Sequence, residues 1–352
     1  MTTRRTRNRK SASKRSSAGK AGGSRHGRHS SEVASSSRTL HQDSLLFITH
    51  VDLPWRLSGA MGAYRRVQPH ATIARLRQGG VGVAVMVIYV PSRRPPEGPL
   101  AWSLRLAEIA YRVVERSRGR AVLATETGEI RKARKEGKVA VLLSIENGAA
   151  LGGSLDTLPV FRRLGVRLFG ITWNGKNELA GGVGSRAKFS RFGKDAVREA
   201  SRLGMLIDVS HLGDSSFADL ARFFRGPLIA SHSNARALCD HPRNLTDDQI
   251  REISSRGGVI GVNFCQAFLR RSGRSTIEDV LDHIDHLTEV GGIDAVGVGT
   301  DFDGVPSLPK RLDHAGHMPR LTAGLLDRGY RPGQIRKILG GNFLRVLKER
   351  EV

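Results

Sequence analysis

Five short apolar runs in this chain end in a histidine or a carboxylate. His50 and Asp52 close LLFITHVD (45–52), and Glu146 closes KVAVLLSIE (138–146). His211 closes MLIDVSH (205–211), and His232 closes PLIASH (227–232). Asp301 and Asp303 close AVGVGTDFD (295–303). Each residue alone has a bland explanation, as a hydrogen-bonded loop histidine or a helix-capping acid. Their joint occurrence is what points to a metal site. Three imidazoles with two or three carboxylates suit Zn²⁺, with Mn²⁺ or Co²⁺ as alternatives. The set is larger than one catalytic zinc needs, because that ion takes about three protein ligands and a water. Two metals bridged by one carboxylate use all of it. Such a pair, roughly 3.5–4 Å apart, lowers the pKa of a bridging water and polarises a carbonyl. A further carboxylate nearby can then act as general base and protonate a leaving amine.

These residues need elements that aim them at one place. Three more apolar runs complete a set of eight: VGVAVMVIYV (81–90), VRLFGITWN (166–174) and VIGVNF (259–264). All are rich in Val, Ile and Leu and lack strict alternation, as expected of parallel strands buried on both faces. Amphipathic segments lie between them. In TIEDVLDHIDHLTE (276–289), Ile277, Val280, Leu281, Ile284 and Leu287 fall at helical spacing. Thr246 followed by Gln249 reads as a capping box that opens the helix after the sixth run. Two further helices are expected after the last run, at about 319–329 and 332–348. Eight strand–helix units predict a (β/α)8 TIM-type barrel, as a single catalytic domain over 43–352. A doubly wound sheet is the alternative. In a barrel the C-terminal strand ends form one rim, where all five polar positions meet.

Composition adds outer limits. The 352 residues carry a formal net charge of +24. Residues 1–40 hold eleven Lys or Arg against one acid, Glu32, and so account for about +10 of it. With almost no large apolar side chain, residues 1–42 are expected to be a disordered basic tail. It is either a contact for nucleic acid or anionic surfaces, or a solvated extension. Two cysteines, Cys239 and Cys265, make no disulfide framework and favour a reducing, cytoplasmic setting. No apolar run approaches the ~20 residues of a membrane span, and no apolar h-region follows the basic N-terminus.

The same residues carry a family resemblance. The chain resembles the membrane (renal-type) dipeptidases, peptidase family M19, among the amidohydrolase-like barrels, from about Phe47 to Leu347. The stretches that carry it are HVDLP (50–54), SIENG (144–148), GVRLFGITWNGKN (165–177), IDVSH (207–211), SHSNARALCDHPRN (231–244), GVGTDFDG (297–304) and ILGGNFLRV (338–346). The resemblance implies that His50 and Asp52 bind one zinc, that Glu146 bridges both, and that His211 and His232 bind the second. It implies that Asp301 shuttles the proton and that Arg243 binds the substrate's C-terminal carboxylate, a task that suits a fork-shaped guanidinium. One departure stands out. Where the family often has Thr-His-Asn or Thr-His-Ser, this chain has Thr172-Trp173-Asn174. An indole donates one hydrogen bond and accepts none, so Trp173 is expected to alter how substrate is held. Thr49 and Val51 also differ from the common Gly and Asn, at positions that are not ligands.

Other polar residues read as structural. The DHIDH run (282–286) is expected on a solvated helix face, and Asp313, His314 and His317 in the loop after the last strand. Asp208 is a candidate for orienting a ligand, or else a capping or core-polar residue. The glycine pairs at 152–153, 181–182 and 340–341 read as turns.

The expected function is hydrolysis of dipeptides by a metal-bridged hydroxide. Tolerance for a D-residue at the C-terminal position is implied by the resemblance, and a homodimer is an admissible assembly. A related binuclear-metal hydrolase acting on another amide, lactam or lactone is the alternative. A nucleic-acid-associated protein with a vestigial barrel is the second.

Overall fold

The computed structural model describes residues 36–59, 68–93 and 95–351. Nine strands occur among them: β1 (Leu46–Val51), β2 (Val81–Tyr89), β3 (Ala121–Leu123), β4 (Val139–Glu146), β5 (Val166–Gly170), β6 (Leu206–Asp208), β7 (Leu228–Ala230), β8 (Val259–Asn263) and β9 (Val296–Phe302). All pairings are parallel. The order β1-β2-β4-β5-β6-β7-β8-β9 closes on itself through β1–β9, which makes an eight-stranded barrel with helices between the strands. The expected (β/α)8 architecture is therefore present, and its eight strands coincide with the eight apolar runs. β3 is an addition that the apolar pattern does not show. It pairs only with the first residues of β4, Ala121 against Val139 through Leu123 against Val141.

Strand alternation decides what fills the barrel. Phe47, Val83, Val85, Leu142, Leu168, Leu206, Ile229 and Val259 form one buried cluster with Phe343, Val346 and Leu347 of the C-terminal helix Asn342–Lys348. Two residues further along several of these strands the side chains become small or polar. Thr49, Ser231, Gly261 and Gly299 pack there almost backbone to backbone: Thr49 Oγ1 donates to the Ser231 carbonyl at 2.6 Å and to the Val298 carbonyl at 3.1 Å. One step higher stand Glu146 and Asp301. The apolar plug, the small-residue layer and the two carboxylates Glu146 and Asp301 thus follow from one period-2 pattern, whereas His50, His211 and His232 each stand one residue out of that phase, where the strand register ends or shifts. The larger core lies between the strands and the surrounding helices.

Both expected helices are present, one of them at the cap that the sequence pattern names. The helix Asp247–Ser255 opens with the Thr246/Gln249 capping box, and Ile277–Gly291 opens with one between Thr276 and Asp279. Helices also follow β9, at Pro319–Asp327 and in three segments from Pro332 to Lys348. Gly340 lies in the kink of those segments and not in a turn; a Cβ there would stand 2.3 Å from the Leu45 carbonyl oxygen. The expected tail needs a correction at its end. Residues 36–43 are helical, and Leu40 and His41 are buried. His41 Nε2 donates to the Gly79 carbonyl at 2.9 Å and Nδ1 accepts from Thr322 Oγ1 at 2.7 Å, which pins the helix to the barrel. Residues 1–35 of the expected basic tail lie outside the described residues.

Candidate metal centre

The strand ends bring the six expected site residues to one spot on the rim. Their ligand atoms fall into three overlapping groups, each within 4.8 Å: His50, Asp52 and Glu146; Glu146, His211 and His232; His50, His232 and Asp301. Glu146 belongs to two groups and reaches opposite ways. Its Oε1 lies 2.8 Å from His211 Nε2, and its Oε2 lies 3.6 Å from His50 Nε2. His50 Nε2 is also 3.3 Å from Asp52 Oδ2 and 3.9 Å from Asp301 Oδ1. All six residues are buried. Asp303 is not in the cluster. Its carboxylate accepts from the backbone N–H groups of His70 and Ala71, at 2.6 and 3.1 Å, and so anchors a neighbouring loop.

The backbone at this rim is bent to fit. His211, Thr300, Asp301 and Asp303 have φ of +68°, +78°, +73° and +69°, a region L-residues seldom occupy, and such strain clusters at functional sites. Gly304 is required for a steric reason, because a Cβ would stand 2.2 Å from Asp52 Oδ2 and 2.6 Å from Asp301 Oδ1.

Further residues hold the clustered side chains in place. Asn174 Oδ1 accepts from His211 Nδ1 at 2.8 Å, and Ser231 Oγ lies 2.7 Å from His232 Nδ1. Asn263, at the end of β8, donates through Nδ2 to Asp301 Oδ2 at 2.8 Å. A signal for Asn263 existed: it is the one polar residue of the seventh run, a position before its end. Asn174 closes the fourth run, but its partner His211 is 37 residues away.

The charges are of a kind that a cation would balance. Burial pushes the Asp52 carboxyl up to about 7, with Glu146 and Asp301 adding to the rise and His50 opposing it. Burial likewise raises Asp301, opposed by His50 and reinforced by Glu146. On His50 burial disfavours the charge, but Asp52 and Glu146 outweigh it and raise its pKa. Burial and the Arg243 guanidinium hold His211 down to about 4, and burial, His50 and Arg243 hold His232 well below the usual range. Both imidazoles are therefore neutral. With the His211 Nδ1–H committed to Asn174, its Nε2 offers a lone pair toward His232 Nε2, only 2.9 Å away. Crowded buried carboxylates and converging imidazole nitrogens are the donor set of a divalent metal centre, and they fit one.

Beside the centre is a cavity of ≈ 140 Å³ lined by Asp52, Glu146, His211, Asp301 and an aromatic wall. In that wall Tyr89 meets Trp55 and Trp173 edge to face, with ring centroids 5.0 and 5.2 Å apart. Trp173 thus lines the cavity, with its ring 6.1 Å from that of His211. Arg243 is close but not on the cavity wall. It is buried behind Phe268, which lines the cavity, with its guanidinium 5.4 Å from that ring. Nη2 donates to the His232 carbonyl at 3.1 Å, and Nε is buried without a partner among the described residues.

The DHIDH run needs a correction. Asp282 and Asp285 pair with Arg328 at the surface, but His283 is 1% exposed. It accepts from Ala235 N–H through Nδ1 at 3.2 Å and donates through Nε2 to the Leu269 carbonyl at 3.1 Å. His317 Nδ1 bonds Asp313 at 2.7 Å, and neither residue nor His314 joins the metal-ligand groups.

A parallel barrel with buried carboxylates and imidazoles gathered at its C-terminal rim defines a metal-dependent hydrolase. Comparison with known proteins narrows the class. Residues 34–352 match the family model described as membrane dipeptidase (peptidase family M19). An uncharacterised dipeptidase of Schizosaccharomyces pombe is 33% identical over 303 residues, which are 80% of this chain and 73% of that protein. A solved dipeptidase structure described as an M19 metallopeptidase superposes with a TM-score of 0.79 at 31% identity, over 87% of this chain and 98% of that one. A metallopeptidase from Rhodobacter sphaeroides, solved with a phosphinate mimic of L-Ala-D-Ala, gives a TM-score of 0.80 at 30% identity, over 88% of this chain and all (100%) of its own. The chain belongs to the M19 family, and it is a metal-dependent dipeptidase.

Proposed function

We propose that this chain is a zinc-dependent dipeptidase that uses two ions per chain and accepts a D-residue at the C-terminal position of its substrate. The observation that carries the reading is Glu146, whose two oxygens face the two halves of one buried ligand cluster. In this reading His50 and Asp52 hold one ion, His211 and His232 hold the other, and Glu146 joins both. Zinc is the first choice for this mix of imidazole and carboxylate, ahead of Mn²⁺ or Co²⁺. Bound there, the ions supply a water of lowered pKa and polarise the scissile carbonyl.

The chain's own residues do the rest. Asp301 accepts the proton of the attacking water and returns it to the leaving nitrogen; Asn263 holds its Oδ2, which leaves Oδ1 for the reacting side. Arg243 receives the substrate's C-terminal carboxylate once Phe268 yields, and this satisfies its unpartnered Nε. Trp173 closes the site as an apolar wall and takes no part in proton transfer, since an indole accepts no hydrogen bond. The D-residue tolerance is supported by the R. sphaeroides relative, solved with a mimic of L-Ala-D-Ala. The barrel acts as a single catalytic domain. A homodimer is compatible with this reading. The unpaired Cys239 and Cys265 suit a cytoplasmic enzyme. Among the described residues no helix is long and apolar enough to cross a membrane.

Metal analysis of the purified protein, paired with a dipeptide panel that includes D-residues, tests this reading. Two divalent ions per chain and release of free amino acids are expected. Trp173 favours one second reading, hydrolysis of another amide, lactam or lactone. Turnover of a lactone with no turnover of any dipeptide would select it.

A further inference from the structure

One buried carboxylate just below the rim has no part in the chemistry above. Asp208 is the last residue of β6 and is buried. Its Oδ1 accepts two backbone N–H groups, from Ser210 at 3.0 Å and from Ser231 at 2.9 Å. These residues immediately precede His211 and His232. The ladder between β6 and β7 is short: it pairs Ile207 with Leu228 and Asp208 with Ile229, and Val209 N–H still reaches the Ile229 carbonyl at 2.8 Å. Past that bond the two chains turn away, His211 with φ of +68°. There a single carboxylate oxygen replaces the ladder and ties the two turns together.

The serines close a ring around this tie. His232 N–H donates to Ser210 Oγ at 3.1 Å, the Ser210 and Ser231 hydroxyls are 3.3 Å apart, and Ser231 Oγ lies 2.7 Å from His232 Nδ1. Every link ends on the backbone or ring of a histidine in the metal centre, or on the residue before it. Without Asp208 the N–H groups of Ser210 and Ser231 are left as buried donors, and the turns relax until each finds an acceptor.

We propose that Asp208 is a positioning residue: by holding the turns of β6 and β7 on one oxygen, it sets the spacing of His211 and His232, whose Nε2 atoms lie 2.9 Å apart, and with it the geometry of the ion they bind. This rests on reading those two histidines as metal ligands. Asp208 touches neither substrate nor metal, so its effect is on ion affinity and coordination. Loss of comparable outer partners lowers metal affinity about 10–100-fold.

The role is one of place and not of charge, and this can be separated. Asparagine keeps an acceptor oxygen at the same reach without the charge, whereas glutamate keeps the charge but moves the oxygen by one methylene. The full chain is stripped of metal and titrated with Co²⁺, following the visible d–d bands, with circular dichroism as the control for folding. Asp208→Asn is expected to keep wild-type bands and an affinity within a few-fold. Asp208→Glu and Asp208→Ala are expected to lose about 10–100-fold in the affinity of one of the two ions and to change its bands. The reverse order of Asn and Glu would assign the effect to charge and overturn the proposal. Wild-type bands and affinity in every folded variant would overturn it as well. A wild-type protein that binds no Co²⁺ or cleaves no dipeptide would instead overturn the functional reading on which the proposal stands.

Discussion

The two halves of the metal centre are held in different ways. On the β6–β7 side each imidazole has its far nitrogen occupied, His211 by Asn174 and His232 by Ser231, and Asp208 ties their backbones. On the β1 side the backbone is anchored, because Thr300 Oγ1 donates to the His50 carbonyl at 2.9 Å and Asp52 N–H to the Phe302 carbonyl at 2.8 Å. The His50 ring itself is not: its Nδ1 is buried with no partner among the described residues. What surrounds His50 instead is carboxylate, from Asp52, Glu146 and Asp301. One half is organised by directional hydrogen bonds and the other by charge. A hydrogen bond fixes a ring's angle and tautomer, whereas Coulomb attraction fixes neither. The difference separates two tasks. The braced half is suited to holding an ion in set geometry. The half rich in carboxylates is suited to handling protons, and Asp301 stands on that side.

Glu146→Ala should abolish the contrast, since both halves share that side chain. Activity is expected to fall to background, with bound metal dropping toward none by elemental analysis. Asp301→Asn should strike the proton-handling half alone. Metal content should stay near wild type while kcat falls about 10²–10⁴-fold, the usual worth of a general acid–base group; near-normal turnover would break the division of labour. Asn174→Ala tests the brace on the other side. It is expected to weaken one ion about 10–100-fold, measured by chelator competition, and to leave the second in place.

The smallest effect concerns the outer support of the β6–β7 half. His283 joins Ala235, just past His232, to Leu269, and burial holds its pKa down to about 4. An unfolded histidine titrates near 6.5, so between these values the unfolded chain binds the extra proton. Stability from this group is thus full above about pH 6.5 and is lost as the pH falls toward 4, by up to about 3 kcal/mol. His283→Gln should flatten that part of a denaturation-versus-pH curve while leaving activity at neutral pH within a few-fold. An unchanged curve would show that His283 carries no such linkage.

Much of the centre was legible because its side chains sit at strand ends, where an apolar run meets a polar residue. His50, Glu146, His211, His232 and Asp301 all carry that local mark. His283 was misread for a related reason. Its neighbours Asp282 and Asp285 lie on the solvated face, and only the loops of Ala235 and Leu269 bury it. The 36–43 helix was missed because it offers one large apolar side chain, Leu40, and is held by His41 bonding to Gly79 and to Thr322, 281 residues away.

The sequence by itself determined the barrel, its eight strands, the identity of the residues clustered at the rim and the family. Those features are written in short-range periodicity and in motifs only a few residues long. Tertiary structure alone decided which nitrogen of each histidine faces Glu146, that Arg243 packs on the ring of Phe268, and that Asp208 serves two turns at once. Each of these depends on an acceptor, a donor or a ring brought in from another strand, and its direction exists only once the barrel has closed.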